Sequence, residues 1–351
     1  MPRRRFPLRL IALPLVAGLA LGGCSLTGGT PAVARTPLLV GLGYIQSVQF
    51  APFYLAQQAG YYRDAGLDVT FQNKIETDLI PLVGQGAIDI GVADGTDVIP
   101  AVSQGIPVQY LATLYGRYPS IVFAKASSGI KTAADLKGKK IGIPGRYGSS
   151  WIMLQALLAS AKLKVTDVQI VEYPDFGQGV AVQQGAVDAA TGFANNEPVQ
   201  LELAGTKTVV LHVDQVIALP GPGLIAGAAA IKDGQPKRAA VAAFVRATVR
   251  AMIEIAANPA KGLDASIAAV PALGSNRATQ SAILAATIAS WAGPVQQADG
   301  FGAFDRAGWT ASIAFLTKLG LVKVPVSVDR LLVDGFVPSQ GQSGSPAPSP
   351  S

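Results

Sequence analysis

The chain has 351 residues, 50% of them hydrophobic and only 14% charged, enough apolar material for one large core or two linked ones. Its net charge of +6 falls to +2 when Arg3, Arg4, Arg5 and Arg9 are set aside with the N-terminal segment they belong to (six less four), so no basic footprint for nucleic acid remains. The single cysteine, Cys24, excludes an intramolecular disulfide and any cysteine-based metal site.

Residues 1–24 read as a leader: four arginines, then an apolar run from Leu10 to Leu21 too short for a stable membrane span, then Leu21-Gly-Gly-Cys24. Small residues before a cysteine at that place resemble a bacterial lipobox, with Cys24 acylated as the mature N-terminus; an ordinary signal peptide with an incidental cysteine is the alternative. Residues 25–36 read as a flexible tether and residues 338–351, rich in Ser, Pro and Gly, as a disordered tail.

Between these ends the pattern is α/β. Leu38–Leu42 is a short apolar run of the kind buried in a parallel sheet, followed by a loop over 43–52 and a helix from Phe53 stopped by Gly60. A turn at Tyr61–Gly66 leads to a strand at Leu67–Phe71, and a helix opens at Thr77-Asp78 and ends near Gly84–Gly86. Strands follow at Ala87–Ala93 and Pro107–Thr113, with Asp94-Gly-Thr-Asp97 as a turn capping the helix between them. Strands separated by helices of this length predict a βαβ sheet.

The pattern then repeats. Strands are predicted at Ile121–Lys125, Ile141–Ile143, Val168–Val171 and Val187–Gly192, with a capping-box-like start at Thr132 and helices from Trp151, over Gln178–Gln184 and over Glu197–Leu203. Gly84-Gln-Gly-Ala-Ile-Asp-Ile-Gly91 and Gln183-Gln-Gly-Ala-Val-Asp-Ala-Ala190 are near copies, which fits two similar lobes, or convergent turn chemistry. Beyond Pro236 the chain turns helical, over 238–257, 262–269, 277–291 and 306–318, and such an end would cover the sheet of the first lobe. Two crossings between lobes are then expected, near 119–126 and near 219–226, so that residues 37–120 and 222–337 form a discontinuous lobe 1 and residues 121–221 form lobe 2.

Catalytic equipment is sparse. His212 is the only histidine and sits in an apolar strand-like run; there is no G-x-S-x-G elbow, Walker A loop or H-E-x-x-H, and no His, Cys or carboxylate cluster with metal spacing. Binding equipment is richer. Polar and aromatic residues recur just after predicted strands, where ligands of open α/β sheets bind: Tyr44, Gln46 and Gln49; Asp94 and Thr96; Tyr115 and Arg117; Arg146, Tyr147, Ser149 and Trp151; Asn195 and Glu197. Each alone has a plain structural reading, Tyr44 as a core tyrosine, Trp151 as the first buried residue of its helix, Arg117 as a surface residue, Asn195 as part of a helix cap. Their joint occurrence after five separate strands points to a ligand cleft.

At these residues the chain resembles the substrate-binding proteins of ABC transporters. The likeness runs through Gly43–Ala56, Gly60–Val69, Asp135–Pro144 and Gly192–Pro198, in the family's order over nearly all of 38–330. The nearest branch is that of the thiamine-pyrimidine, alkanesulfonate and nitrate binders, and the combination of Gly145–Ser150 with Asn195–Pro198 is most similar to members that bind flat heterocycles, riboflavin-binding lipoproteins among them. The resemblance implies a two-lobed periplasmic-binding-protein type II fold with the ligand cleft between lobes, and a monomeric receptor, lipid-anchored outside the bacterial cell membrane, that serves an ABC permease and its ATPase. It implies no cofactor and no catalysis, with an anion receptor of the alkanesulfonate or nitrate type as the alternative. In that frame Tyr44, Tyr115, Tyr147 and Trp151 would stack on a ring, Gln49, Asp94, Asn195 and Glu197 would read its polar edge, and Arg117 and Arg146 would take an anionic or carbonyl group. The family also includes fungal pyrimidine-synthesising enzymes, whose cysteine-rich motif and reactive histidine this chain lacks.

Overall fold

The computed structural model describes residues 34–337. The leader, Cys24 and the segment from 338 onward lie outside the described residues.

The chain builds two five-stranded sheets, each in a lobe of its own. The first lobe runs β1 (Thr36–Leu42), α1 (Ala51–Gln58), α2 (Tyr61–Asp64), β2 (Leu67–Asn73), α3 (Glu76–Gly84), β3 (Ile90–Asp94), α4 (Gly95–Ser103) and β4 (Val108–Thr113). The second runs β5 (Ser120–Lys125), β6 (Lys140–Ile143), α5 (Gly148–Ser160), β7 (Gln169–Glu172), α6 (Gln178–Gln184), β8 (Ala189–Phe193), α7 (Glu197–Leu203) and β9 (Thr208–His212). The chain then returns to the first lobe with β10 (Pro222–Gly227) and ends in α8 (Pro236–Ala257), α9 (Pro259–Ala269), α10 (Arg277–Trp291), α11 (Pro294–Asp299), α12 (Arg306–Lys318) and α13 (Val328–Leu331).

Strand order is β2-β1-β3-β10-β4 in the first sheet and β7-β6-β8-β5-β9 in the second. β1 is paired in parallel on both sides, and Leu38, Val40 and Leu42 are fully buried there. The sheets are mixed, where the βαβ pattern alone predicts parallel pairing throughout. β5 runs antiparallel to β8 and β9, and β10 antiparallel to β3 and β4. These are the strands by which the chain enters a lobe after crossing from the other, so each arrives without a crossover helix to set its direction. β10 escaped the sequence pattern because Pro-Gly-Leu-Ile-Ala-Gly carries only two large apolar side chains, although all six of its positions are buried.

The late helices cover the first sheet on both faces. Phe244, Met252, Ile255, Leu263 and Leu284 share one core with β1, β2 and α1, while Trp309, Leu316 and Leu331 close the other face with Ile99 and Tyr110. Each such burial is worth roughly 1.5–3 kcal/mol before conformational entropy is charged against it. In the second lobe Ile141, Ile143, Met153, Leu154 and Leu157 form the core on one face of the sheet, and Phe123, Val182 and Leu201 that on the other. Ile152 of α5 belongs instead to the first lobe's core, and Phe315 of α12 touches cores of both lobes, so hydrophobic packing continues across the junction.

Residues 114–119 carry the first crossing, pinned to the end of α10: the Gly116 N–H donates to the Trp291 carbonyl (3.1 Å) and the Arg117 N–H to that of Ser290 (3.0 Å). A Cβ on Gly116 would lie 1.9 Å from Gln296 Oε1 and 2.5 Å from the Gly293 nitrogen, so only glycine lets the chain pass this close.

Candidate ligand-binding site

A cleft opens where the C-terminal ends of β1, β3, β6 and β8 face one another. Its volume, open mouth included, is about 1140 Å³. Its wall is strongly aromatic. The first lobe contributes Tyr44 after β1, Phe50 and Phe53 at the start of α1, Tyr115 after β4 and Trp291 at the end of α10. From the second come Tyr147 after β6, Phe176 after β7 and Phe193 at the end of β8. Tyr44 and Phe176 meet across the cleft edge to face, with ring centroids 5.1 Å apart. Phe176 holds φ at +61°, a left-handed conformation that costs a non-glycine residue about 1–2 kcal/mol. The strain belongs to the loop that delivers the Phe176 ring to the cleft wall.

Two carboxyls stand among these rings, with neutral hydroxyls and amides around them. Asp94, at the end of β3, is buried, and burial pushes its carboxyl up to about 7 although a hydrogen bond with Ser149 favours the ionised form. Asp94 stands where α4 begins but makes no side-chain cap; its carboxyl faces the cleft, contrary to the capping role its turn suggests. Glu197, in the first turn of α7, accepts the Phe193 N–H at 2.8 Å. Burial pushes its carboxyl up to about 6, with the backbone N–H groups of Phe193 and of Glu197 itself acting the other way. A Cβ on residue 192 would lie 2.6 Å from Glu197 Oε2, so Gly192 makes room for this carboxylate. Gln178, at the start of α6, is buried, and its Oε1 has no hydrogen-bond partner in the protein. Burial raises the hydroxyls of Tyr44 and Tyr115 well above their ordinary range, Glu197 adding to it for Tyr44, so both stay neutral.

Polar contacts also join the lobes beside the cleft. The Asn195 amide of the second lobe donates to Gln49 Oε1 (3.1 Å) and to Thr287 Oγ1 (2.7 Å) of the first. A second link is made beside Asp94, where Tyr118 of the first crossing donates to the Ser149 carbonyl at 3.3 Å. Rings and acceptors are thus presented from both lobes at once, an arrangement that suits a flat ring with polar edges.

The NMT1/THI5-like family matches residues 47–262 of the chain. This protein belongs to that family. The riboflavin-binding protein RibY of Chloroflexus aurantiacus is 33% identical over 94% of this chain and 98% of its own. A 4-amino-5-hydroxymethyl-2-methylpyrimidine phosphate synthase of Legionella pneumophila is 29% identical, but over only 53% of this chain and 58% of its own. Among solved structures, the alkanesulfonate-binding protein SsuA from Xanthomonas axonopodis bound to MOPS superposes with a TM-score of 0.64 at 19% identity, covering 87% of this chain and 99% of that one. SsuA from Escherichia coli gives 0.63 at 20% identity, over 85% and 97%. The fold is therefore the two-lobed periplasmic-binding-protein fold, as the resemblance in sequence implies.

Within this NMT1/THI5-like chain the thirteen residues singled out after strands divide. Tyr44, Gln49, Asp94, Tyr115, Tyr147, Ser149 and Glu197 lie on the cleft wall. Asn195 sits behind it as the bridge just described, and Thr96 is buried behind Asp94 with its hydroxyl 3.4 Å from that of Tyr118. Gln46 is exposed on its loop. Arg117 is exposed and donates from Nε to the Ala292 carbonyl at 3.4 Å. Arg146 is exposed, pairs with Glu172 at 2.9 Å and lies 5.5 Å over the Trp151 ring, which packs on the second lobe's core. Phe50, Phe53, Phe176, Gln178 and Trp291 are on the wall without having been singled out. Phe176 and Gln178 follow a strand and were open to the same rule, whereas Trp291 ends a helix and carried no such signal. Among the described residues no helix is long and apolar enough to cross a membrane, and no three His, Cys, Asp or Glu side chains are grouped to hold a metal.

Proposed function

We propose that this protein is the solute receptor of an ABC importer and that its ligand is a small aromatic heterocycle, riboflavin or a thiamine-precursor pyrimidine. The observation that carries the reading is the aromatic wall contributed by both lobes, with Tyr44 and Phe176 meeting across it. A ring held between such faces gains area burial and stacking together, and closure of the lobes converts that gain into a selected conformation. The kinship with a riboflavin-binding protein along nearly the whole length supports a flavin over a pyrimidine. The receptor would work outside the cell membrane, acylated at Cys24 and docking as a monomer on a permease that its ATPase drives.

Binding without conversion fits the wall better than synthase chemistry does. The partial kinship with pyrimidine phosphate synthases raises an enzyme as the second reading. Such an enzyme needs a lysine or histidine in the cleft. None of the described lining residues is one, and His212 lies on β9, 3.8 Å from Asp214.

Titration of the purified protein with riboflavin and with hydroxymethylpyrimidine tests the proposal. Saturable quenching of tryptophan fluorescence by one of them is expected, because Trp291 is on the wall. Silence with both, and a response to taurine or nitrate, overturns the heterocycle reading. Turnover or self-modification with pyridoxal phosphate would favour the enzyme.

A further inference from the structure

The cleft is rich in acceptors and has no cation on its wall. Asp94 comes from the first lobe and Glu197 from the second; Gln178 Oε1 is buried with no hydrogen-bond partner in the protein. Among the described residues lining the cleft none is Lys, Arg or His. The arginines nearest in sequence are engaged elsewhere, Arg117 with the Ala292 carbonyl and Arg146 with Glu172.

One element would ordinarily oppose this. The 13-residue helix α5 begins at Gly148 with no side-chain cap, and Gly148, Ser149 and Ser150 are on the wall. A helix start of this kind attracts negative charge. Here the Ser149 hydroxyl of that helix start stands beside the Asp94 carboxyl, so the positive end of α5 already faces an acidic group that belongs to the protein. Glu197 likewise accepts a backbone N–H of its own lobe, that of Phe193 at 2.8 Å. The wall thus sets two fixed carboxyls and no cation against a ligand; the donors it offers are neutral hydroxyls and amides, those of Tyr44, Tyr115 and Gln178 among them.

We propose that the cleft selects an uncharged ring bearing N–H donors and excludes its phosphate ester, because Asp94 and Glu197 line it with no cation among the described lining residues to offset them. This rests on the heterocycle reading given above and narrows it. The donors would be the imide N–H of a flavin or the amino group of a pyrimidine, read by Asp94, Glu197 and Gln178. A phosphate brought within several ångströms of these carboxyls meets like charge in a partly dry site. That amounts to roughly tenfold or more in affinity. The receptor would thus take the dephosphorylated compound, unlike the relatives named as phosphate synthases.

Equilibrium dialysis against two matched pairs tests this: riboflavin with riboflavin 5′-phosphate, and hydroxymethylpyrimidine with its phosphate. In whichever pair the uncharged member binds, its ester is expected to bind at least about tenfold more weakly. An ester that binds equally well or better overturns the charge selection and leaves the heterocycle reading standing. If neither uncharged compound binds, the heterocycle reading falls and this inference with it. The isosteric variants Glu197→Gln and Asp94→Asn separate charge from size. Either is expected to narrow the ratio at least about threefold, and a ratio unchanged in a folded variant assigns the exclusion to size and overturns the proposal. The native protein's ratio supports or overturns the selection even if a variant fails to fold.

Discussion

Each lobe uses the same turn in the same way. Asp89 Oδ2 accepts the Leu39 N–H of β1 at 2.8 Å, and Asp188 Oδ2 accepts the Lys140 N–H of β6 at 2.8 Å; the two aspartate N–H groups return bonds of 2.9 Å to the Leu39 and Lys140 carbonyls. The near-copies Gly84–Gly91 and Gln183–Ala190 are therefore one device built twice, a carboxylate tying the start of a strand to the turn before its neighbour. The loops at the other ends of β1 and β6 are not copies. Tyr44 and Gln49 of the first lobe line the cleft, as do Tyr147, Gly148, Ser149 and Ser150 of the second, whereas Arg146 pairs with Glu172 and Trp151 packs on its own lobe's core. The two lobes share the turn that holds their strands together and differ in the loops that meet the cleft.

The largest effect should come from breaking the shared turn. Asp89 is half-buried and also pairs with Lys237 of α8, while Asp188 is exposed. Asp89→Ala is expected to destabilise by about 3 kcal/mol and Asp188→Ala by about 1 kcal/mol, since a buried carboxylate with two partners strands more when removed. Urea unfolding of both variants measures this, and equal losses would mean that the lobes do not differ as their burial suggests.

Next in size is the ring contact that closes the cleft. Tyr44→Ala should cost about 2 kcal/mol of heterocycle binding, near 30-fold, with Tyr147→Ala costing about 1 kcal/mol. Tyr147 is 40% exposed and so has less of its face to offer than the half-buried Tyr44. Calorimetric titration of the two variants ranks them; the reverse order would make the second lobe the main stacking surface.

These contacts also show which features could be read from the sequence. β1, β3, β4 and β6 announce themselves through apolar runs bounded by turns, and the helical end after Pro236 through its spacing. β10 does not, because its place between β3 and β4 depends on small residues that fit there and not on a hydrophobic stripe. The positions of the cleft loops were legible, since they follow strands. Which side chains turn inward was not. Arg146 and Tyr147 are consecutive, and only the bend before α5, closed by Gly148 at φ +69°, sends the tyrosine to the cleft and the arginine to Glu172. Phe176 reaches the wall through a left-handed backbone that a phenylalanine does not advertise. Trp291 arrives from a helix nearly 250 residues downstream of Tyr44, a separation no local pattern spans.

A smaller effect follows from the carboxyls. Asp94 and Glu197 stand at about 7 and about 6 in the folded protein, above their ordinary values. The folded chain therefore binds protons more tightly than the unfolded one, and stability falls as pH rises from the ordinary carboxylate range through 6 to 7. A ligand that donates N–H groups to these carboxyls favours their ionised form and lowers both values. Affinity should then rise, by up to about tenfold, as pH climbs from 5 to 7, level off above, and be accompanied by proton release. Calorimetry at pH 6.5 in two buffers of different ionisation enthalpy reads the sign. Proton uptake would instead mean that protonated carboxyls donate to ligand carbonyls.

The smallest expected effect falls on the pair that the strand-end rule favoured and the fold turned outward. Arg146 is about half exposed, its ion pair with Glu172 is at the surface, and neither it nor the Trp151 ring beneath it is among the described cleft-lining residues. Arg146→Ala should change heterocycle affinity less than twofold and stability by no more than about 0.5 kcal/mol, the range of exposed pairs. Trp151→Ala should leave affinity equally untouched but lower stability by about 1–2 kcal/mol, because half of that ring packs on Met153 and Leu154's core. A tenfold loss of affinity in Arg146→Ala would require the loop before α5 to turn over when ligand arrives. The second lobe would then present a cation to the cleft after all, and its divergence from the first would be one of timing, with Arg146 withheld until closure.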